Sequence, residues 1–254
     1  MVIDSGNGMS KFFSKVYMWM FIGLLVSGGA AYFTAHNMAM MKFVYGSFGF
    51  ILLLELVVVL VFSALRKKAS PLVAKILFLV YSLISGLTLS SIFIVYKIGS
   101  VGMVFLSAAL MFALLAIYGY TTKNDLSSFG KILIFALIAI IIMSIINIFV
   151  KSSGLDLFLC IVSILVFLGL TAWDMNNLKA MYNYYASDEK ELSKIAIYGA
   201  LDLYLDFVNI FLNLLSLFGK RTDSRKLVIL FKYILKVNPI VIASNIRTDH
   251  SVSN

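Results

Sequence analysis

Residues 199–218 read GALDLYLDFVNIFLNLLSLF. The segment is apolar over about the 20 residues a helix needs to cross a bilayer. Yet Asp202, Asp206, Asn209 and Asn213 interrupt it at spacings of four, three and four. On an α-helix those steps hold the four polar side chains within roughly a 60° arc. A charged side chain at mid-bilayer costs ~2.5–3.5 kcal/mol on insertion scales. A helix facing lipid could not carry this stripe cheaply, so the segment is expected at the centre of a bundle. Its stripe should face a cavity or other carboxylates. The plainer alternative is a packing seam of hydrogen-bonded polar groups, and two aspartates four residues apart weigh against it.

The rest of the chain supplies the bundle. Of 254 residues 61% are hydrophobic and 13% are charged, where a soluble domain is about half apolar and a quarter charged. Continuous apolar runs fall at 12–35, 43–65, 72–96, 101–120, 132–150, 155–173 and 197–218. Their length selects helices, because barrel strands are about 10 residues long with alternating polarity. The expected fold is therefore an all-α integral membrane protein with seven transmembrane helices. The first run exceeds a signal-peptide core and ends without an A-x-A site, so it reads as a span. The expected domains are a transmembrane unit over 1–220 and a basic, partly apolar tail over 221–254, with 227–243 either lying in the interface or re-entering the membrane and 244–254 disordered. Segment 175–196 reads as a solvated connector.

The composition excludes a disordered chain, a disulfide scaffold and a nucleic-acid-binding module. The net charge of +9 is assigned to topology. With a cytoplasmic N-terminus, Lys11, Lys15, Arg66, Lys67, Lys68, Lys75, Lys123, Lys131, Lys179, Lys190 and Lys194 lie inside, and Lys42, Lys97 and Lys151 outside. The positive-inside rule favours that orientation. Lys220, Arg221, Arg225 and Lys226 pull the other way at the tail, whose side stays open. A lone Cys160 and the distant His36 and His250 offer no His/Cys metal site.

Three segments bring ionisable groups to one end of the bundle. The sixth run ends near Asp174, Asp206 lies about two turns into the seventh, and Arg66 closes the second. Glu55 is eleven residues before Arg66, ~16 Å away by helical rise and so near mid-membrane. Two carboxylates in one poorly solvated site share a proton, and losing it sets two like charges against each other. Arg66 can then take one of them, or simply anchor the helix end beside Lys67 and Lys68. Carboxylate and amide oxygens also suit Ca²⁺, which makes Asp174 and Asp206 candidate metal contacts.

Several segments together resemble the Bax inhibitor (transmembrane Bax inhibitor motif) family in its bacterial branch. They are SKVYMWMFIGLLVSGGAAY (14–32), YSLISGLTLSSIFIVY (81–96), YGYTTKNDLSSFGK (118–131), TAWDMNNLK (171–179) and GALDLYLDFVNIFLNLLSLFG (199–219). The resemblance implies six helices packed around the C-terminal seventh and a pH-sensitive calcium leak, with calcium as transported ion and no cofactor. It implies a pH sensor and gate at Asp174, Asp206 and Arg66, with Glu55 on the ion path, where the stripe residues Asp202, Asn209 and Asn213 join it. The chain departs from the pattern at Trp173, Met175, Asn176 and Asn124, and its tail from Arg221 has no counterpart. The expected partners are the lipid bilayer, calcium ions, protons and a further membrane protein, in a bacterial inner membrane.

Two other functions compete. One is a modulator that binds a membrane protease or cell-death partner. The other is an aspartyl intramembrane protease built on Asp174 and Asp202. Leu201 stands where that pattern has Gly, and the Pro-containing motif is missing, since the prolines are Pro71 and Pro239. The expectation is a protein that is not an enzyme. A retinal pigment is disfavoured, because the seventh run has no Lys before Lys220.

Overall fold

The computed structural model describes residues 5–222 apart from Lys67. The tail expected over 227–243 lies outside the described residues. Those residues are helical almost throughout: α1 (Ser5–His36), α2 (Met38–Gly46), α3 (Phe48–Ala64), α4 (Pro71–Leu89), α5 (Ile92–Val95), α6 (Ile98–Thr121), α7 (Ser127–Val150), α8 (Ser153–Tyr184) and α9 (Glu189–Phe218).

Local chemistry sets the ends. Asn37 accepts the Ala39 and Met40 amides ahead of α2. Ser70 accepts the Val73 amide with Pro71 in the first turn of α4. Ser152 caps α8 and Asp188 caps α9 in the same way. Between α7 and α8, Lys151 takes a left-handed conformation at φ 55°, and the buried Asn147 side chain binds both the amide and the carbonyl of Ser152.

Among the described residues six helices are long and apolar enough to cross a membrane, and there is a seventh span if α2 and α3 count as one path bent by 77°. The sequence predicts one span over the second run, 43–65. It breaks at Ser47, between Gly46 and Gly49, where the Ser47 amide still bonds to the Phe43 carbonyl but the backbone leaves helical geometry. The run 72–96 is interrupted near its end, where the Ser90 and Ser91 hydroxyls bond back to the Leu87 and Thr88 carbonyls. The connector expected over 175–196 is also corrected: α8 and α9 extend into that polar segment and leave only 185–188 between them.

α9 is the axis. In its most apolar eighteen-residue window 94% is buried, against 28% for α6 and α7. α1, α4, α6 and α8 pack along it, while α7 rests on α8. α3 reaches it through Phe62, whose ring lies 4.4 Å from that of Tyr198. Small residues permit the closest approaches: Gly86 lies against Ser27 and Ala30 of α1, and Gly119 against the Ala172 backbone of α8.

The start of α1 and the end of α8 share one end of the bundle, since the Phe12 and Tyr182 rings are 5.4 Å apart. At the opposite end the chain leaving α9 pairs with the α5–α6 connector. The Lys97 amide bonds to the Lys220 carbonyl, the Thr222 amide to the Val95 carbonyl, and Tyr96 bridges Arg221 in antiparallel fashion. Ser5 and Thr222 therefore sit at opposite ends.

Candidate functional site

α8 presents a different side chain to each neighbour. Ala172 meets Gly119 of α6, Trp173 covers Gly130 of α7, and Leu178 covers Gly199 of α9. The Tyr17 hydroxyl of α1 donates to the Met175 sulfur at 3.4 Å. Asn176 holds the α6–α7 loop, accepting the Leu126 amide at 3.3 Å and donating to the Asn124 carbonyl at 3.2 Å. The Lys179 ammonium donates to the Tyr120 and Thr122 carbonyls, which neutralises the end of α6. These contacts fix the rotation of α8. Asp174 lies one turn from Leu178, hence on the side that faces α9, and is only 3% exposed.

The Leu178–Gly199 contact also sets the register of the antiparallel pair. Four residues along α8 to Asp174 corresponds to the level of Leu203 on α9. Asp206 then lies ~4.5 Å further along the axis and Asp202 ~1.5 Å before it, at 1.5 Å per residue. Asp206 is seven residues from Gly199, on the same side of α9, and is 0% exposed. The two aspartates expected as a pair thus occupy facing surfaces, about one turn apart in height.

Arg66 goes elsewhere than the sequence suggested. Its Nη2 donates to Asp202 Oδ2 at 2.7 Å, with the side chains 20% and 15% exposed. Its guanidinium lies 5.0 Å from the centroid of the Tyr198 ring. Arg66 follows the end of α3, so it reaches the turn of α9 nearest that end. Asp202 is one turn from Asp206 on the same stripe, and the sequence points to it as part of the ion path rather than as the partner of Arg66.

Glu55 is 0% exposed. Thr88 Oγ1 donates to its Oε2 at 3.1 Å, and the Tyr81 hydroxyl to its Oε1 at 3.5 Å. Behind them the Tyr204 hydroxyl of α9 donates to Ser85 Oγ at 3.1 Å. Thr88 Oγ1 is also 2.8 Å from the Ser85 carbonyl, so one hydroxyl hydrogen has two acceptors in reach. With that hydrogen on the carbonyl, the hydroxyl oxygen is open to accept from a protonated Glu55. The sequence reading missed these hydroxyls. The signal was there: Tyr81, Ser85 and Thr88 recur at helical spacing inside the apolar run 72–96.

Asn209 is buried and Asn213 half-buried; their amides donate to the Leu205 and Asn209 carbonyls of the same helix. Outside the spans, the Ser127 hydroxyl and amide hold the Asp125 carboxyl below its usual range. Among the described residues no group of three or more His, Cys, Asp or Glu gathers as a metal site.

Apolar helices of spanning length around a buried polar axis define a multi-pass α-helical membrane protein. Residues 9–223 match the family described as inhibitor of apoptosis-promoting Bax1, and the chain belongs to that family. It is 41% identical over 224 residues to the inner membrane protein YbhL of Escherichia coli, covering 87% of this chain and 96% of that one. An uncharacterized protein of Borreliella burgdorferi is 40% identical over 217 residues, with 84% and 94% covered. One of Rickettsia prowazekii is 35% identical over 219 residues, with 85% and 92% covered.

Proposed function

We propose that the chain is a proton-controlled calcium leak of a bacterial inner membrane, oriented with its N-terminus in the cytoplasm. One observation carries the reading: Asp174 of α8 and Asp206 of α9 are both buried, on the sides of the two helices that the Leu178–Gly199 contact turns toward each other. Carboxylates brought together away from water share a proton. Losing it sets like charges against each other across the helix pair that forms the core. Arg66, one turn away on Asp202, is placed to compensate, so the arrangement has two states biased by protonation. Along the same stripe, Asn209 and Asn213 follow. Glu55, with hydroxyls that accommodate it charged or neutral, supplies a hard oxygen site away from that end for a passing cation.

The membrane location is supported by the name of the Escherichia coli relative and by the spans themselves. The basic residues near the start of α1 support the orientation. Against a protease, the Arg66 guanidinium occupies Asp202, which leaves that carboxylate poorly suited to pass protons to water.

Purified protein in liposomes containing a calcium dye tests the proposal. Flux should depend on pH, and Asp174→Asn and Asp206→Asn should each abolish that dependence. Glu55→Gln should lower flux while leaving its pH dependence. Flux that is absent from the folded protein would overturn the leak and favour the binding modulator.

A further inference from the structure

α1 and α4 run side by side and parallel. Gly23 lies against Phe78 and Ser82, and Gly86 against Ser27 and Ala30. That register puts Trp19 level with Lys75, whose ammonium lies 5.5 Å from the indole centroid. Lysines near a membrane border ordinarily extend toward water; this one is drawn over an aromatic face inside the helix end. Lys15 stands one turn from Trp19, toward the start of α1, and is exposed.

The two helices that carry the pair are themselves one-signed. Neither α1 nor α4 contains an aspartate or glutamate, and among the described residues no carboxylate pairs with Lys15 or Lys75. From this cationic pair an apolar furrow runs along the seam toward mid-membrane. Ile22 on α1 and Leu79 on α4 are half-buried in it, and Leu83 is 52% exposed. By helical angle all three lie on the same flank of the seam as Trp19 and Lys75. α3 packs on the other flank of α4, where Tyr81 and Thr88 meet Glu55.

We infer that this furrow binds an anionic phospholipid of the leaflet at the Ser5 end. Its phosphate is held between Lys15 and Lys75, its glycerol lies against the Trp19 indole, and one acyl chain lies along Ile22, Leu79 and Leu83. A lone surface lysine attracts acidic lipid only diffusely. Two lysines with an indole beside them and the apolar seam of Ile22, Leu79 and Leu83 behind them select a lipid that is both charged and chain-bearing. The inference is independent of ion conduction.

The chain has two tryptophans, so Trp173→Phe leaves Trp19 as sole reporter, and a Trp19→Phe protein supplies the subtraction if that variant folds poorly. The protein is reconstituted in vesicles of four parts phosphatidylcholine to one part phosphatidylglycerol, with bromines on the acyl chains of one lipid or the other. Brominated phosphatidylglycerol should quench Trp19 well beyond its share of the bilayer, by a local enrichment of roughly fivefold per contacting lysine. The double variant Lys15→Gln and Lys75→Gln should return quenching to that share while quenching by brominated phosphatidylcholine shows that the fold persists. Proportionate quenching in the unsubstituted pair of lysines overturns the site, and so does a preference that survives the double substitution. Loss of the preference on adding glycerol phosphate would assign the lysines to a soluble anion and overturn the lipid reading.

Discussion

Arg66 shows how much one side chain can do at the border of a membrane. It satisfies Asp202 through a charge-assisted hydrogen bond of 2.7 Å and stacks on Tyr198. A double-mutant cycle over Arg66→Gln and Asp202→Asn should give a coupling of about 1–3 kcal/mol in unfolding titrations. Arg66→Gln should be the more damaging single change, because it leaves a carboxylate behind and also removes the ring contact. Asp125 provides a control for acidity. Its folded value is depressed by Ser127, so its contribution is in place above the ordinary carboxylate range and disappears only as pH falls below that range. NMR titration of a carboxyl-labelled sample should find Asp125 fully ionised near neutrality, and Asp125→Asn should leave any neutral-pH change in flux unaltered.

Among the elements, the helix pairs show why part of the architecture was readable from composition and part was not. Seven apolar runs could be bounded by length alone, and the stripe on 199–218 placed α9 inside because aspartates are intolerable in lipid. Composition does not report a bend, however. Phe43, Val44, Phe48 and Ile51 look equally apolar on either side of Ser47, and only the backbone between Gly46 and Gly49 shows that the path turns. It also cannot say which turn of α9 an arginine will reach. Asp202 and Asp206 share a stripe, and the choice depends on where α3 stops. The hydroxyls around Glu55 were overlooked because serines, threonines and tyrosines scattered through an apolar run look individually unremarkable beside a carboxylate. Two tests belong at this scale. Gly119→Ala would push a methyl into the Ala172 backbone, which cannot swing aside as a side chain would. It should cost about 1–3 kcal/mol, read as a lower midpoint of thermal unfolding in detergent. Asn147→Leu removes the bonds to Ser152 and to Asp156 and should cost a similar amount, with Asn147→Ser intermediate.

At the level of the whole molecule, the two ends of the described chain emerge on opposite faces. Single cysteines placed at Ser10 and Thr222 in a Cys160→Ser background should therefore label from opposite sides of intact cells with a membrane-impermeant maleimide. Labelling of both from one side would contradict the fold. Counting apolar runs in the sequence leads to an odd number of crossings, and the basic residues after 219 pull against it. The pairing of Val95 and Lys97 with Thr222 and Lys220 settles which end of the bundle that segment occupies.

The central position of α9 also bears on biogenesis. The helix that completes the core follows in the chain the helices it packs against, and its aspartates make it the one that lipid would accept least readily alone. Insertion of α9 is therefore expected to depend on the helices already in place around it.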